Sequence, residues 1–145
     1  MKLLVTGGCG FVGSNFIHYC LKKSKKVEIV NLDAMLDGSK IENLKNIDQN
    51  RYKFVKGNIC NKKLVSKLVN DVDCVINFAA ETHVDRSIDN PNIFIKTNIL
   101  GVYNLLVNSL EYWNKIKKKK KRFKFIQIST DEVYGSVEKD SSIES

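Results

Sequence analysis

The chain has 145 residues, 43% hydrophobic and 28% charged, which is room for one domain with a real core and too little for two. No apolar run reads as a membrane span, and the N-terminus lacks the separate basic and apolar regions of a signal peptide, so the expectation is a cytoplasmic protein without a membrane partner. The net charge is +8, yet residues 117 to 122 are Lys-Lys-Lys-Lys-Lys-Arg and only +2 remains without them, so the basicity is a local feature and nucleic acid is not the expected partner.

Four cysteines (Cys9, Cys20, Cys60, Cys74) have no zinc-like spacing and only two histidines accompany them, so no metal site is expected. They read as reduced thiols. Cys9 falls in a glycine turn, where a helix N-terminus acts to lower a thiol pKa.

Leu3, Leu4 and Val5 have the length and flanks of a buried strand. The run breaks at Thr6-Gly7-Gly8, and an apolar-periodic helix is expected from Phe11 to Lys23. Gly7, Gly10 and Gly13 sit at the break with two residues in each gap. A strand, glycine turn and helix present unpaired N–H groups at the positive end of a helix dipole, a place for a diphosphate. Gly7 suits the tight turn, Gly10 a close approach to the diphosphate, and Gly13 close packing of helix on strand. A second strand, Val27 to Leu32, ends at Asp33, 20 residues after Gly13. An acid there accepts from an adenosine ribose and repels a 2′-phosphate, which favours NAD over NADP.

Further along, a helical turn is expected around Ile41 to Leu44 and a third strand at Lys53 to Lys56. Asn61 can cap a helix through Leu64, Val65, Leu68 and Val69. The fourth strand is expected at Asp73 to Phe78, followed by Ala79-Ala80 and a polar loop from Glu81 to Asn90. Pro91 suits the first turn of a long helix to about Trp113. Its stripe of Ile95, Ile99, Val102, Leu106 and Leu110, widened by Leu100, Tyr103 and Val107, implies burial on more than one side, and it is apolar enough to serve a homodimer. The fifth strand is expected at Phe123 to Ser129. Alternating strands and helices predict an α/β fold, a doubly wound parallel sheet with helices on both faces and ligands at the strands' carboxyl ends.

Thr130, Asp131 and Glu132 follow the fifth strand. Two carboxylates beside a hydroxyl fit either a helix N-cap or acid–base chemistry.

The segments Thr6-Gly-Gly-Cys-Gly-Phe-Val-Gly13, Phe78-Ala-Ala-Glu-Thr-His-Val-Asp-Arg-Ser87 and Ser129-Thr-Asp-Glu-Val-Tyr-Gly135 resemble the N-terminal part of the dTDP-glucose 4,6-dehydratases, within the extended short-chain dehydrogenase/reductase superfamily. The resemblance spans the whole chain and about half of a typical member. It implies a Rossmann-like NAD-binding domain over residues 1–145, ending after the fifth strand. Phe11 and Val12 would cover the diphosphate, Asp33 would hold the ribose, and Asn58 with Ile59 would flank the adenine. Phe78, Ala79 and Ala80 would line the nicotinamide side with Thr97 behind them. Thr82 and Thr130 would touch the nucleotide sugar, with dTDP-glucose as the expected substrate. Glu132 would take the C5 proton, Asp131 would protonate the leaving C6 hydroxyl, and Thr130 would bond the C4 oxygen. His83, Asp85 and Arg86 would belong to the site wall.

The sequence departs from the family at Asn58, usually an aspartate, and at Ala34, Met35 and Leu36, where Lys and Thr ribose contacts are absent. The superfamily's catalytic Tyr-x-x-x-Lys pair, which would deprotonate the C4 hydroxyl, falls beyond the position of Ser145, so the expectation is a dehydratase lacking its substrate lobe and inactive alone. The competing expectations are an epimerase or decarboxylase of the same superfamily, or a non-catalytic protein binding NAD or anionic partners through the lysine run.

Overall fold

The computed structural model describes residues 1–82, 84–117, 121–130, 133 and 135, with Val84 by its backbone alone. Five parallel strands form one sheet in the order β3-β2-β1-β4-β5. They are β1 (Lys2–Thr6), β2 (Glu28–Asp33), β3 (Tyr52–Lys56), β4 (Cys74–Asn77) and β5 (Lys124–Gln127). β2 is shifted by one residue from the expected span. Its ladder opens with Glu28 opposite Lys2 and closes with Asp33 opposite Lys56, so the acid is the last residue of the strand. β4 and β5 are shorter than expected because Phe78 and Ile128 leave the ladder after donating to Thr6 O and Asn77 O.

Strand alternation sends β1 side chains to two cores. Leu3 and Val5 pack with Ile29, Ile76, Ile17 and Leu21, the last two from helix α1 (Phe11–Lys23), which keeps its expected limits. Leu4 packs on the opposite face with Val30, Leu32 and Val75. That face is covered by α2 (Lys62–Val69) through Val65 and Val69, and by a long helix through Leu105, Tyr112 and Ile116. Asn61 caps α2 by accepting from Leu64 N at 3.1 Å.

Three expectations are corrected beyond β4. A short helix, α3 (Val84–Asp89), stands within the segment expected as loop; it carries no apolar periodicity that marks it in the sequence. The long helix, α4 (Pro91–Ile116), runs past Trp113 and is π-helical from Ile95 to Gly101. By length and composition it is apolar enough to cross a membrane, with mean hydropathy 1.2, contrary to the reading of the sequence.

The third correction concerns the buried face of α4. Thr97, Gly101, Leu105, Asn108, Ser109, Tyr112 and Ile116 are buried. The expected apolar stripe faces outward: Ile99 is 60% exposed, Tyr103 65% and Leu110 57%. Small residues let the helix approach the loop after β3. A Cβ on Gly101 would stand 2.6 Å from Ile59 Cγ1.

Of the lysine run, Lys117, Lys121 and Arg122 are among the described residues. Lys121 Nζ is 3.7 Å from Asp73 Oδ1, next to the start of β4, and 3.2 Å from Tyr112 Oη. Lys117 stands over the Trp113 ring at 4.9 Å.

Candidate functional site

After β1 the chain turns at Gly7, whose φ of +71° lies in the left-handed region. A Cβ there would stand 2.6 Å from Ala79 N, so the turn also needs glycine to clear the end of β4. Three consecutive N–H groups tie the turn to β2. Gly7 N donates to Leu32 O at 3.0 Å, Gly8 N to Asn31 Oδ1 at 3.0 Å and Cys9 N to Asp33 Oδ2 at 2.8 Å. Helix α1 then begins with no side-chain cap. The N–H groups of Phe11, Val12 and Gly13 have no intrahelical acceptor by helix geometry, and they carry the positive end of the dipole. Gly13 packs the helix on the glycine turn itself, since a Cβ there would stand 2.8 Å from Gly8 Cα.

This helix end forms one wall of a cleft of about 330 Å³ at the carboxyl ends of the strands. Gly7, Gly10, Phe11, Val12 and Gly13 come to it from the turn and α1, and Asp33 from β2. Asn58 and Ile59 reach it from the loop after β3, Phe78, Ala79, Ala80 and Thr82 from the loop after β4, and Thr97 from α4. The structure therefore brings every residue assigned to a dinucleotide in the sequence to one cavity. Leu36, Gly57 and Glu81 line it too, and so do Asp37, Gly38 and Ser39, which had no signal in spacing or motif.

The walls are fixed by hydrogen bonds. Asp33 is buried; its Oδ2 accepts from Cys9 N and its Oδ1 from Met35 N, each at 2.8 Å. Each oxygen keeps a further lone pair for a ligand hydroxyl. Met35, among the departures from the family, has a φ of +57°. Asn58 Oδ1 accepts from Cys60 N at 2.8 Å, so its acceptor is shared with its own loop. Ile59 is buried in the core below the cleft.

The loop after β4 is held twice. Asn77 Oδ1 accepts from Ala79 N at 3.1 Å and from Thr6 Oγ1, while Asn77 Nδ2 donates to Gln127 Oε1 at 2.9 Å. Asn98, on the π-helical turn, exchanges two bonds with the Glu81 backbone, at 2.8 and 2.9 Å. Arg86 lines the cleft with its Nη2 3.2 Å from Asp37 Oδ2 and 3.6 Å from Glu81 Oε2. Asp85, expected in the wall, is exposed and does not line the cleft.

Thr130 is exposed and is not among the lining residues. Asp131, Glu132 and His83 lie outside the described residues. Among those described, no group of three His, Cys, Asp or Glu residues can hold a metal ion. The Cys9 thiol is pushed up to about 11, first by burial and then by Asp33. The expected lowering is not found: the Cys9 side chain is fully buried in the core cluster that holds Ile17, and burial disfavours the thiolate.

A doubly wound parallel sheet, a glycine turn on an open helix N-terminus and an acid closing the second strand together define a Rossmann-like domain. The chain belongs to the GDP-mannose 4,6 dehydratase family, whose profile matches residues 4–145.

It is 40% identical to the dTDP-glucose 4,6-dehydratase of Salmonella typhimurium, across 99% of this chain and 41% of that one. A dTDP-glucose 4,6-dehydratase from Bacillus anthracis, solved in complex with NAD, superposes with a TM-score of 0.77 at 40% identity, covering 99% of this chain and 42% of that one. DesIV, a dTDP-glucose 4,6-dehydratase from Streptomyces venezuelae solved with NAD and TYD bound, gives a TM-score of 0.85 at 35% identity, covering 98% and 43%. The chain thus spans about two fifths of the length of the curated relatives it matches.

Proposed function

We propose that this chain is the NAD-binding portion of a nucleotide-sugar 4,6-dehydratase acting on dTDP-glucose. The observation that carries the reading is one cleft in which the open N-terminus of α1 faces the Asp33 carboxylate. The residues fit NAD. The N–H groups of Phe11, Val12 and Gly13 suit a diphosphate, and Gly10 leaves room for it, since even an added Cβ there would meet only Gly7 O, at 3.4 Å. Asp33 suits ribose hydroxyls and disfavours a 2′-phosphate.

The chemistry that bound NAD supplies is reversible hydride transfer, taken from sugar C4 and returned at C6. In this reading Phe78, Ala79 and Ala80 hold the nicotinamide end against Thr97. Thr82 and Thr130 bind the sugar nucleotide, and Thr130 donates to the C4 oxygen. Glu132 as carboxylate takes the C5 proton, and Asp131 as acid gives its proton to the departing C6 hydroxyl, so that water leaves. This division needs one carboxyl charged and one protonated, which a shared dry site favours. Titration with NAD and NADP tests the reading. NAD should stabilise the fold against heat and NADP should bind at least about tenfold more weakly; a protein that neither ligand stabilises refutes it.

The exposed stripe of α4 supports a homodimer as the partner. Antiparallel contact of two α4 helices covers Ile99, Tyr103, Leu106 and Leu110 and sends the two Lys117 residues to opposite ends, away from like charge. The four free cysteines fit a reducing, cytoplasmic setting.

A further inference from the structure

Asn31 stands in an otherwise apolar stretch of β2, between Val30 and Leu32, and is 0% exposed. A buried amide is costly unless its atoms are paired. Here Oδ1 accepts from Gly8 N at 3.0 Å, and Nδ2 donates to Tyr52 Oη at 2.9 Å and to Cys9 Sγ at 3.4 Å. None of these bonds belongs to the strand ladder; the side chain serves the glycine turn.

The orientation of the amide follows from its partners. The Gly8 N–H that meets the amide can only donate, so the oxygen must face it. The amino group then faces Tyr52 and Cys9, both of which can accept. Tyr52 Oη is the better acceptor, and it fixes which way the amide points. Asn31 and Asp33 lie on the same side of β2 and take consecutive N–H groups, Gly8 and Cys9.

Gly8 has no slack. A Cβ on it would stand 2.6 Å from both Asn31 Cγ and Ile17 Cδ1, and its Cα lies where a Cβ on Gly13 would come within 2.8 Å. A shift of Gly8 is therefore passed to the first turn of α1. Neither Asn31 nor Tyr52 lines the cleft.

We propose that Asn31, oriented by Tyr52, is a positioning residue for a diphosphate ligand: by holding Gly8 it aims the N–H groups of Phe11, Val12 and Gly13 at the cleft. This rests on the reading of the cleft as an NAD site. Asn31→Leu and Tyr52→Phe in the full chain test it, with NAD, ADP and adenosine as probes in calorimetric or NMR titrations. Asn31→Leu should weaken ADP and NAD about tenfold, the scale of one lost hydrogen bond, and leave adenosine unchanged because it lacks the diphosphate. Tyr52→Phe should weaken ADP and NAD in the same direction by about threefold, since it removes one of two acceptors and no donor to Gly8. The Gly8 amide should exchange hydrogen faster in both variants without ligand.

Unchanged ADP affinity in both variants overturns the inference, and so does an equal loss for adenosine and ADP, which marks general damage to the fold. If Asn31→Leu does not fold, Tyr52→Phe decides alone. Wild-type protein that binds neither ADP nor NAD overturns the cofactor reading itself, and this inference with it.

Discussion

Cys9 N donates to Asp33 Oδ2 at 2.8 Å, so the acid proposed to hold a cofactor ribose also fastens the glycine turn to β2. The same carboxylate takes Met35 N on its other oxygen. Asp33→Ala therefore orphans two backbone donors and removes the carboxylate proposed to hold the ribose. The expected outcome is a loss of roughly 1–3 kcal/mol in urea unfolding together with loss of NAD binding. Asp33→Asn keeps one acceptor and removes the charge. It should cost less stability yet narrow the preference for NAD over NADP, measured by paired titrations.

Gly10 and Gly13 separate binding from folding. A Cβ on Gly10 meets only Gly7 O, at 3.4 Å, whereas one on Gly13 presses on Gly8 Cα at 2.8 Å. Gly10→Ala should leave stability within about 0.5 kcal/mol and abolish detectable NAD binding, because the methyl takes the diphosphate's place. Gly13→Ala should lose about 1–3 kcal/mol as well, since backbone cannot move aside. Chemical denaturation beside NAD titration distinguishes the two.

The ends of the strands were legible because the rule that ligands bind at carboxyl ends needs only strand order, and glycine and acid spacing mark those ends directly. Asn31 and Asn77 were not legible. An asparagine inside an apolar run breaks the pattern of a strand, and its partners, Gly8 and Gln127, are distant in sequence. The face of α4 was misread for a different reason. Periodicity reports an apolar side without saying what covers it, and on α4 the buried side mixes Leu105, Tyr112 and Ile116 with Thr97, Gly101, Asn108 and Ser109, small or polar residues that dilute the apolar pattern.

That outward face leads to a prediction about assembly. Leu110→Glu, at a site 57% exposed in one chain, should leave the unfolding free energy within about 0.5 kcal/mol and shift sedimentation toward the monomer. Wild-type protein that sediments as a monomer at high concentration contradicts the dimer.

Alkaline pH should destabilise the fold from the glycine turn outward. Burial raises the Cys9 thiol from the usual 9.0 to about 11 and the Tyr52 hydroxyl from 10.0 to about 12. The folded chain then holds protons that the unfolded chain has released. Both contributions are complete below pH 9; that of Cys9 is lost between pH 9 and 11, and that of Tyr52 between 10 and 12. The limiting slope is about 1.4 kcal/mol per pH unit for each group. Urea unfolding across this range should show the decline, and Cys9→Ala should flatten its lower part.

The most direct measurement is an amide NMR titration of the full chain with NAD. The account predicts shifts at Phe11, Val12, Gly13 and around Asp33, with the amino end of the sheet at Lys2 and Asp71 unchanged. Saturating NAD that leaves those four residues unmoved, or that moves only the opposite end, contradicts it.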